Sequence, residues 1–375
     1  MTDNFFRFHL EPRLRSSPLR LAGVSSGAVL LALGVGAALL RAAGVPPLAA
    51  YGEMGAELFG TSFGFSEVLV KTTPLILCGL GVMVAFRMLF WNIGAEGQLH
   101  LGAWAATAVA MAPLPWESAW LRLPLMALAS IVAGGLWALI PAALKIGRQV
   151  NEVVTSLLLN YVAIAIVDYF VYGPWRDPAS SNFPLTPMFP DSAQLPRFGT
   201  LRMNGGLLLA LAAAALAYVV QERSRLGFAI RVMGDNLAAA RYAGIGLAGT
   251  TLAAMALSGG LAGLAGMVEL AGIQHRLLRG FSPGYGYTAI IVAWLGRLHP
   301  AGVLIAGFLL GALLAGGEVL QISRQLPVSM IFMVQGALLL TLLAGDFFNR
   351  YRIVWRRGPP TDVKEGAPEG KAART

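Results

Sequence analysis

The chain has 375 residues, 56% of them hydrophobic and only 13% charged, with a formal net charge of +9 and a mean hydropathy of +0.66. Soluble domains carry about 25% charged residues, so this composition excludes an ordinary water-soluble fold. Cys78 is the one cysteine, which excludes an intrachain disulfide and leaves packing as its default role.

The apolar runs are roughly 18–24 residues long, the length a helix needs to cross about 30 Å of hydrocarbon. The ten-residue alternation of a membrane β-barrel is missing. The expected fold is an all-α polytopic membrane protein of about ten transmembrane helices. Residues 1–20 read as a cytoplasmic N-terminal segment, and 21–346 as the transmembrane domain. The first apolar run follows basic residues, as in a signal sequence, but lacks a small-x-small cleavage site. A retained first helix is expected.

The spans are expected at 21–40, 68–86, 92–112, 123–144, 152–172, 204–221, 247–271, 285–297, 300–320 and 328–346. The third opens with the densest polar cluster at membrane level, Trp91-Asn92-Ile93-Gly94-Ala95-Glu96-Gly97-Gln98. Intramembrane polar groups are costly and mark function first. Asn92 reads as a helix cap, and a glycine-broken helix start offers backbone N–H groups to a polar solute. Glu96 either joins such a site or faces cytoplasmic water at the helix end. In the fifth span Asn151 reads as a cap, while Asn160, two turns deeper, either bonds between helices or lines a pathway.

Residues 173–203 form an external loop whose Pro174, Pro178, Pro184, Pro187, Pro190 and Pro196 forbid a long helix. It is either an ordered connector or a docking surface. Residues 222–246 are a charged cytoplasmic segment. Gly234 is expected to interrupt it, Asp235 or Asn236 to cap a short helix over Leu237–Tyr242, and Gly244 to stop that helix. Phe228, Val232 and Leu237 would hold it near the membrane. Ser258, Gly259, Gly260, Gly263 and Gly266 in the seventh span favour close helix contact. The eighth span is too short to cross alone and reads as a half-helix or a tilted segment. Glu269, Glu318 and Lys71 lie near span ends, where snorkelling accommodates them. Residues 347–375 are poor in apolar residues from Gly358 onward and read as a disordered cytoplasmic tail.

With the N-terminus inside, 19 of the 28 Lys and Arg residues fall on the cytoplasmic side, in accord with the positive-inside rule. The positive charge is therefore a topology signal and gives no reason to invoke nucleic acid. His9, His100, His275 and His299 are scattered with no metal-ligand spacing, and no GxxxxGK[ST] phosphate loop occurs. An energy source, if the chain is a pump, lies in another subunit.

Four ordered stretches carry a resemblance. They are Phe90–Gln98, Asn151–Tyr161, the block from Gly234-Asp235-Asn236 to Gly244-Ile245, and Ser282-Pro283-Gly284-Tyr285-Gly286-Tyr287 with Pro300-Ala301-Gly302. Together they resemble permeases of bacterial ABC importers, the nucleoside and simple-sugar branch of the ribose/branched-chain amino acid permease superfamily. The resemblance spans about residues 21–346; Trp91 departs from it, standing where a smaller residue is expected. It implies a ribose-type permease fold with pseudo-symmetric halves in the bacterial cytoplasmic (inner) membrane, both termini inside. It implies a transport subunit that is no enzyme and holds no cofactor, with ATP and magnesium bound by a partner ATPase. Further partners implied are a second permease in a heterodimer, an extracytoplasmic binding protein or lipoprotein, and membrane lipid. Arg231, Gly234, Asp235, Asn236, Ala239, Ala240, Tyr242 and Gly244 would form the coupling element that docks on the ATPase. Trp91, Asn92, Glu96, Gln98 and Asn160 are the candidate pathway residues for a nucleoside or simple sugar. The alternative is an ion-driven secondary transporter of a small polar solute, which would want a buried charged relay at the midplane.

Overall fold

The computed structural model describes residues 7–12, 18–113, 118–181, 183–199 and 201–356. In chain order the helices are α1 (Pro18–Ala42), α2 (Pro47–Gly60), α3 (Ser62–Arg87), α4 (Ala95–Met111), α5 (Ala119–Arg148), α6 (Glu152–Tyr172) and α7 (Gly206–Arg223). They continue with α8 (Arg225–Asp235), α9 (Leu237–Tyr242), α10 (Leu247–Glu269), α11 (Tyr285–Leu295), α12 (Pro300–Arg324) and α13 (Ser329–Arg350). A π-helical turn, Leu270–Gln274, extends α10.

Each expected span falls on one of these helices. Among the described residues, six are long and apolar enough to cross a bilayer: α3, α5, α6, α7, α12, and α10 with its π turn. The α1–α2 pair, bent by 114°, makes a seventh candidate. The eighth span, expected as a half-helix or a tilted segment, is the short α11; the expectation of ten spans overlooked that α4 is short as well, both beginning inside the bundle after breaks in the chain. It also missed α2. Pro46 is its N-cap and Pro47 its first helical residue, the position where a missing N–H costs nothing. Glu53 and Glu57 dilute its hydropathy and hide it from a span reading.

Burial sorts the helices. The apolar windows of α3 and α10 are 89% and 78% buried, those of α5 and α6 only 28% and 22%. The first pair is the core; the second presents Leu128, Leu136, Leu158 and Val162 outward, as lipid-facing helices do. A helix apolar all round belongs in an interior, and α3 packs against α10, α11 and α12 at once. The expected close contacts of the small-residue face are present: Gly259 and Gly263 of α10 lie against the backbone of Ser130 and Gly134 on α5. Lys71 is ion-paired with Glu318 at 2.6 Å rather than snorkelling. Glu269 is buried and accepts from Gln274.

The bundle is all-helical as expected. Outside it, β1 (Arg7–Pro12) pairs antiparallel with β2 (Tyr351–Arg356), Arg7 opposite Arg356, and this corrects one expectation. The tail expected to be disordered from 347 is thus helical to Arg350 and a strand to Arg356. The run Tyr351-Arg352-Ile353-Val354-Trp355 is rich in β-branched and aromatic residues, which favour a strand. Residues 357–375, and most of the segment 1–20, lie outside the described residues. The loop at 173–203 contains a single helical turn, Asp191–Ala193, among its described residues. It is pinned to the turn after α10: Leu185 bridges Leu278, and Thr186 N donates to Leu277 O at 2.9 Å.

Candidate functional site

Two breaks in the chain build the site. Between α3 and α4 residues 88–94 run non-helically, and between α10 and α11 residues 275–284 do the same. Irregular backbone at this depth is tolerated only inside protein or against a cavity. The two breaks bring the first turns of α4 and α11 together. Gly286 N donates to Glu96 Oε2 at 2.7 Å. A Cβ on residue 286 would collide with the backbone at Glu96, so only glycine permits this contact. Glu96 is 2% exposed and sits at the positive end of α11, where the helix dipole favours a carboxylate. It does not face bulk water at a helix end.

Behind Glu96 lies a polar lock. Asn92 is fully buried. Its Nδ2 donates to Gln98 Oε1 at 3.1 Å and to Ser258 Oγ at 3.0 Å, and its Oδ1 accepts from Gly94 N and Gln98 Nε2, both at 3.0 Å. Asn160, also fully buried, accepts from Gly97 N at 2.8 Å and donates to Ile93 O at 2.8 Å and to Tyr287 Oη at 3.3 Å. Two expectations are corrected by this network. Asn92 is not the cap of α4; that position is Gly94, with no side-chain bond. The N–H groups of Gly94 and Gly97 are not free for a solute, because Asn92 and Asn160 occupy them. Buried donors seek partners, and here side chains supply them. Trp91 stands apart, its ring centroid 5.1 Å from Phe86 and 6.0 Å from Trp294.

On the other side of Glu96 a cavity of about 270 Å³ opens between α4, α6 and the α10–α11 break, lined by Glu96, His100, Asp168, Arg279, Ser282 and Tyr287 among others. Of the five pathway candidates, Glu96 alone lines it. His100 stands one turn beyond Glu96 and its Nδ1 lies 2.8 Å from the Glu96 carbonyl oxygen. At the rim Arg279 Nε is 3.6 Å from Asp168 Oδ2, and Arg279 Nη1 donates to Tyr172 Oη at 3.0 Å. Next to this rim His275 Nε2 lies 2.7 Å from Arg197 Nη2. Burial, and then the Arg197 charge, hold its pKa below the usual imidazole value. Sequence reasoning passed over His100 and Asp168. The signal was present: His100 is four residues from Glu96, hence on one helix face, and Asp168 is an acid within an apolar span.

The 222–246 segment forms α8 and α9, joined at Asn236. Asn236 Oδ1 accepts from Ala238 N and Ala239 N at 2.9 and 3.0 Å. Of the two capping residues considered, it is the one that caps. Gly244 has φ +72° and ends α9 as expected, with Ile245 N donating to Ala240 O at 3.0 Å, as at a helix stop. Gly234 does not interrupt the segment, since α8 runs through it to Asp235. It is small because it lies directly on the backbone carbonyl of Arg87 at the end of α3. Glu222 completes the joint: Arg231 donates to it at 3.1 Å and Arg87 at 3.4 Å, while Arg87 also reaches Leu298 O at 2.8 Å. Arg231 further donates to the Gln221 carbonyl. Ala240 is buried, whereas Asp235, Asn236, Ala239 and Tyr242 are exposed, Tyr242 to 97%.

A bundle with a buried polar cavity at broken helices, and an exposed helical elbow braced against its central helix, defines a polytopic membrane permease. Residues 64–343 match the family described as branched-chain amino acid transport system / permease component, and the chain belongs to it. It is 42% identical over 357 residues to the glucose ABC transporter permease protein TsgB13 of Haloferax volcanii, covering 92% of this chain and 93% of that one. It is 31% identical to the guanosine ABC transporter permease protein NupP of Bacillus subtilis, covering 86% and 93%. A second guanosine permease protein of that organism, NupQ, is 26% identical over 74% of this chain and 88% of its own. The chain is thus the permease subunit of an ABC importer and not its ATPase, and the ion-driven alternative falls away.

Proposed function

We propose that this chain, with a second permease, forms the pathway for glucose or a nucleoside, driven by a separate ATPase that binds ATP and magnesium. TsgB13 and NupP are named for glucose and guanosine, both uncharged and rich in hydroxyls. The polar cavity between α4, α6 and α11 suits such a solute. That both NupP and NupQ resemble this chain supports a heterodimer of related permeases. Counting α4, α11 and α13 with the seven span candidates gives ten membrane helices, and the matching breaks before α4 and α11 favour two related halves. The basic ends of α3, α5 and α7 and the α8–α9 elbow then lie at the cytoplasmic face, as do both termini. The bacterial cytoplasmic membrane and its lipid surround the bundle, and an extracytoplasmic binding protein or lipoprotein delivers solute to the cavity side.

The observation that carries this reading is the α8–α9 elbow. Its outer surface, Asp235 to Tyr242, is open to a partner. Its inner surface rests on Arg87 through Gly234 and Glu222. A push on α9 therefore reaches α3, whose other end of the same break holds the Glu96 site. Packed helices respond to such a push by switching between discrete arrangements. In whole-cell uptake, Asp235→Lys and Tyr242→Ala should each cut import about tenfold or more, as loss of a central docking residue does, while the chain still reaches the membrane. Normal ATP-coupled import by both variants would remove the coupling role from this elbow.

A further inference from the structure

The cavity beside Glu96 has a donor and acceptor pattern that selects its ligand. Glu96 and His100 form its buried end, 2% and 4% exposed. His100 Nδ1 lies 2.8 Å from the Glu96 carbonyl oxygen. A carbonyl only accepts, so Nδ1 carries the proton, and in the neutral ring Nε2 is an acceptor. Glu96 Oε2 is held by the Gly286 N–H. Glu96 Oε1 is 3.7 Å from His100 Nδ1, beyond hydrogen-bond distance. With the ring neutral, both side chains at this end accept and neither donates into the cavity. The donors stand opposite, while Arg279, also in the lining, is held at the rim by Asp168 and Tyr172. Ser282 Oγ accepts from Gly284 N and Tyr285 N at 3.2 and 3.3 Å, and Tyr287 Oη accepts from Asn160. Each hydroxyl keeps its own proton to give.

We propose that Glu96 and His100 are an acceptor pair that reads donor groups on the solute, with the Glu96 carboxylate turning anions away. The ligand class is an uncharged molecule with neighbouring hydroxyl or N–H groups. Phosphate esters of the same sugar or nucleoside are rejected, since a second anion beside a buried carboxylate meets like-charge repulsion at low dielectric. Carboxylate-bearing amino acids are rejected on the same ground. This rests on the importer reading above and specifies which solutes within it are accepted.

The test uses the importer assembled with its ATPase and second permease, without the binding protein, so that only the pathway discriminates. Equilibrium dialysis is run with labelled glucose, guanosine and glucose 6-phosphate. The expected result is binding of glucose or guanosine and none of the phosphate at the same concentration. His100→Gln, which keeps an acceptor, should retain binding. His100→Leu should weaken it about ten- to hundredfold, the loss expected of a buried hydrogen bond to a charged or desolvated site. Glu96→Gln should narrow the gap between glucose and its phosphate about tenfold; if that variant fails to assemble, the two His100 variants decide. Equal binding of glucose and its phosphate, or a His100→Leu variant that binds like the parent, overturns the acceptor pair alone. Binding of neither glucose nor guanosine by an assembled, ATP-hydrolysing importer overturns the substrate reading and the pair with it.

Discussion

Asn160 makes the strongest case for reading single residues by their partners. A lone amide two turns into an apolar helix invites two explanations, interhelical bonding and solute contact. Its amide bonds Gly97 N, Ile93 O and Tyr287 Oη, so it fixes the start of α4 and orients a cavity side chain. Asn160→Ala would leave a backbone donor and a backbone acceptor buried without partners, at about 1–3 kcal/mol each. The purified protein should unfold at a clearly lower temperature, by fluorescence-monitored melting, than one carrying Asn151→Ala. Asn151 is an exposed cap whose loss costs about 1 kcal/mol. Equal melting temperatures would mean that the lock is not structural. The sequence made the donors near Gly94 and Gly97 visible, and Asn92 as a local acceptor, but not that Asn160 of α6 takes up Gly97 N from 63 positions away. That is why backbone N–H groups open to a polar solute were expected where a closed network stands.

At the scale of elements, the 222–246 segment was largely legible and its joint was not. The cap at Asn236 and the stop at Gly244 follow from local backbone chemistry, which sequence reports well. Gly234 looked like a helix breaker because glycine is a poor helix former. Its actual reason is a tertiary contact with Arg87, 147 positions away in the chain's order by their numbers. Gly234→Ala should therefore raise helix propensity and still harm transport: uptake should fall severalfold while α8 stays helical, since the added Cβ pushes α8 off α3. Unimpaired uptake would show that the elbow does not bear on α3. The turn after α10 makes a second element-scale prediction. His275 accepts from Arg197 only when neutral, and its pKa is held down first by burial and then by that arginine. A depressed imidazole pKa contributes stability that is complete above the unfolded value of about 6.5 and is lost as pH falls through the folded value. Protection of the 275–279 backbone from hydrogen exchange should thus drop on acidification below that unfolded value. A His275→Gln variant should lack that drop, and an identical acid profile would clear His275 of the effect.

For the molecule as a whole, composition and apolar spacing were enough to place helices at all ten expected positions, because span length is dictated by the bilayer rather than by neighbours. The length of the eighth span already marked α11 as a half-helix or a tilted segment, but nothing in apolar spacing revealed that α4 also starts within the bundle, since its break differs from a whole span by tertiary contacts. Those broken helices give the molecule its working geometry. Beyond the Glu96 end, the cavity is crossed at its rim by the Asp168–Arg279 pair, which ties α6 to the α10–α11 turn. Arg279 is 62% exposed there and Asp168 27%, and ion pairs of this kind contribute at most about 1 kcal/mol. A contact that weak can break and re-form during transport. If α6 and the α10–α11 turn separate to admit solute, then fixing them must stop import. Asp168→Cys/Arg279→Cys, treated with a short bis-maleimide, should lose uptake while ATP hydrolysis by the complex persists; the same pair capped with a monofunctional maleimide should keep measurable uptake. Cys78 is fully buried, so the reagent acts at the introduced pair. Unchanged import after complete crosslinking would mean that solute enters elsewhere and that the rim is static.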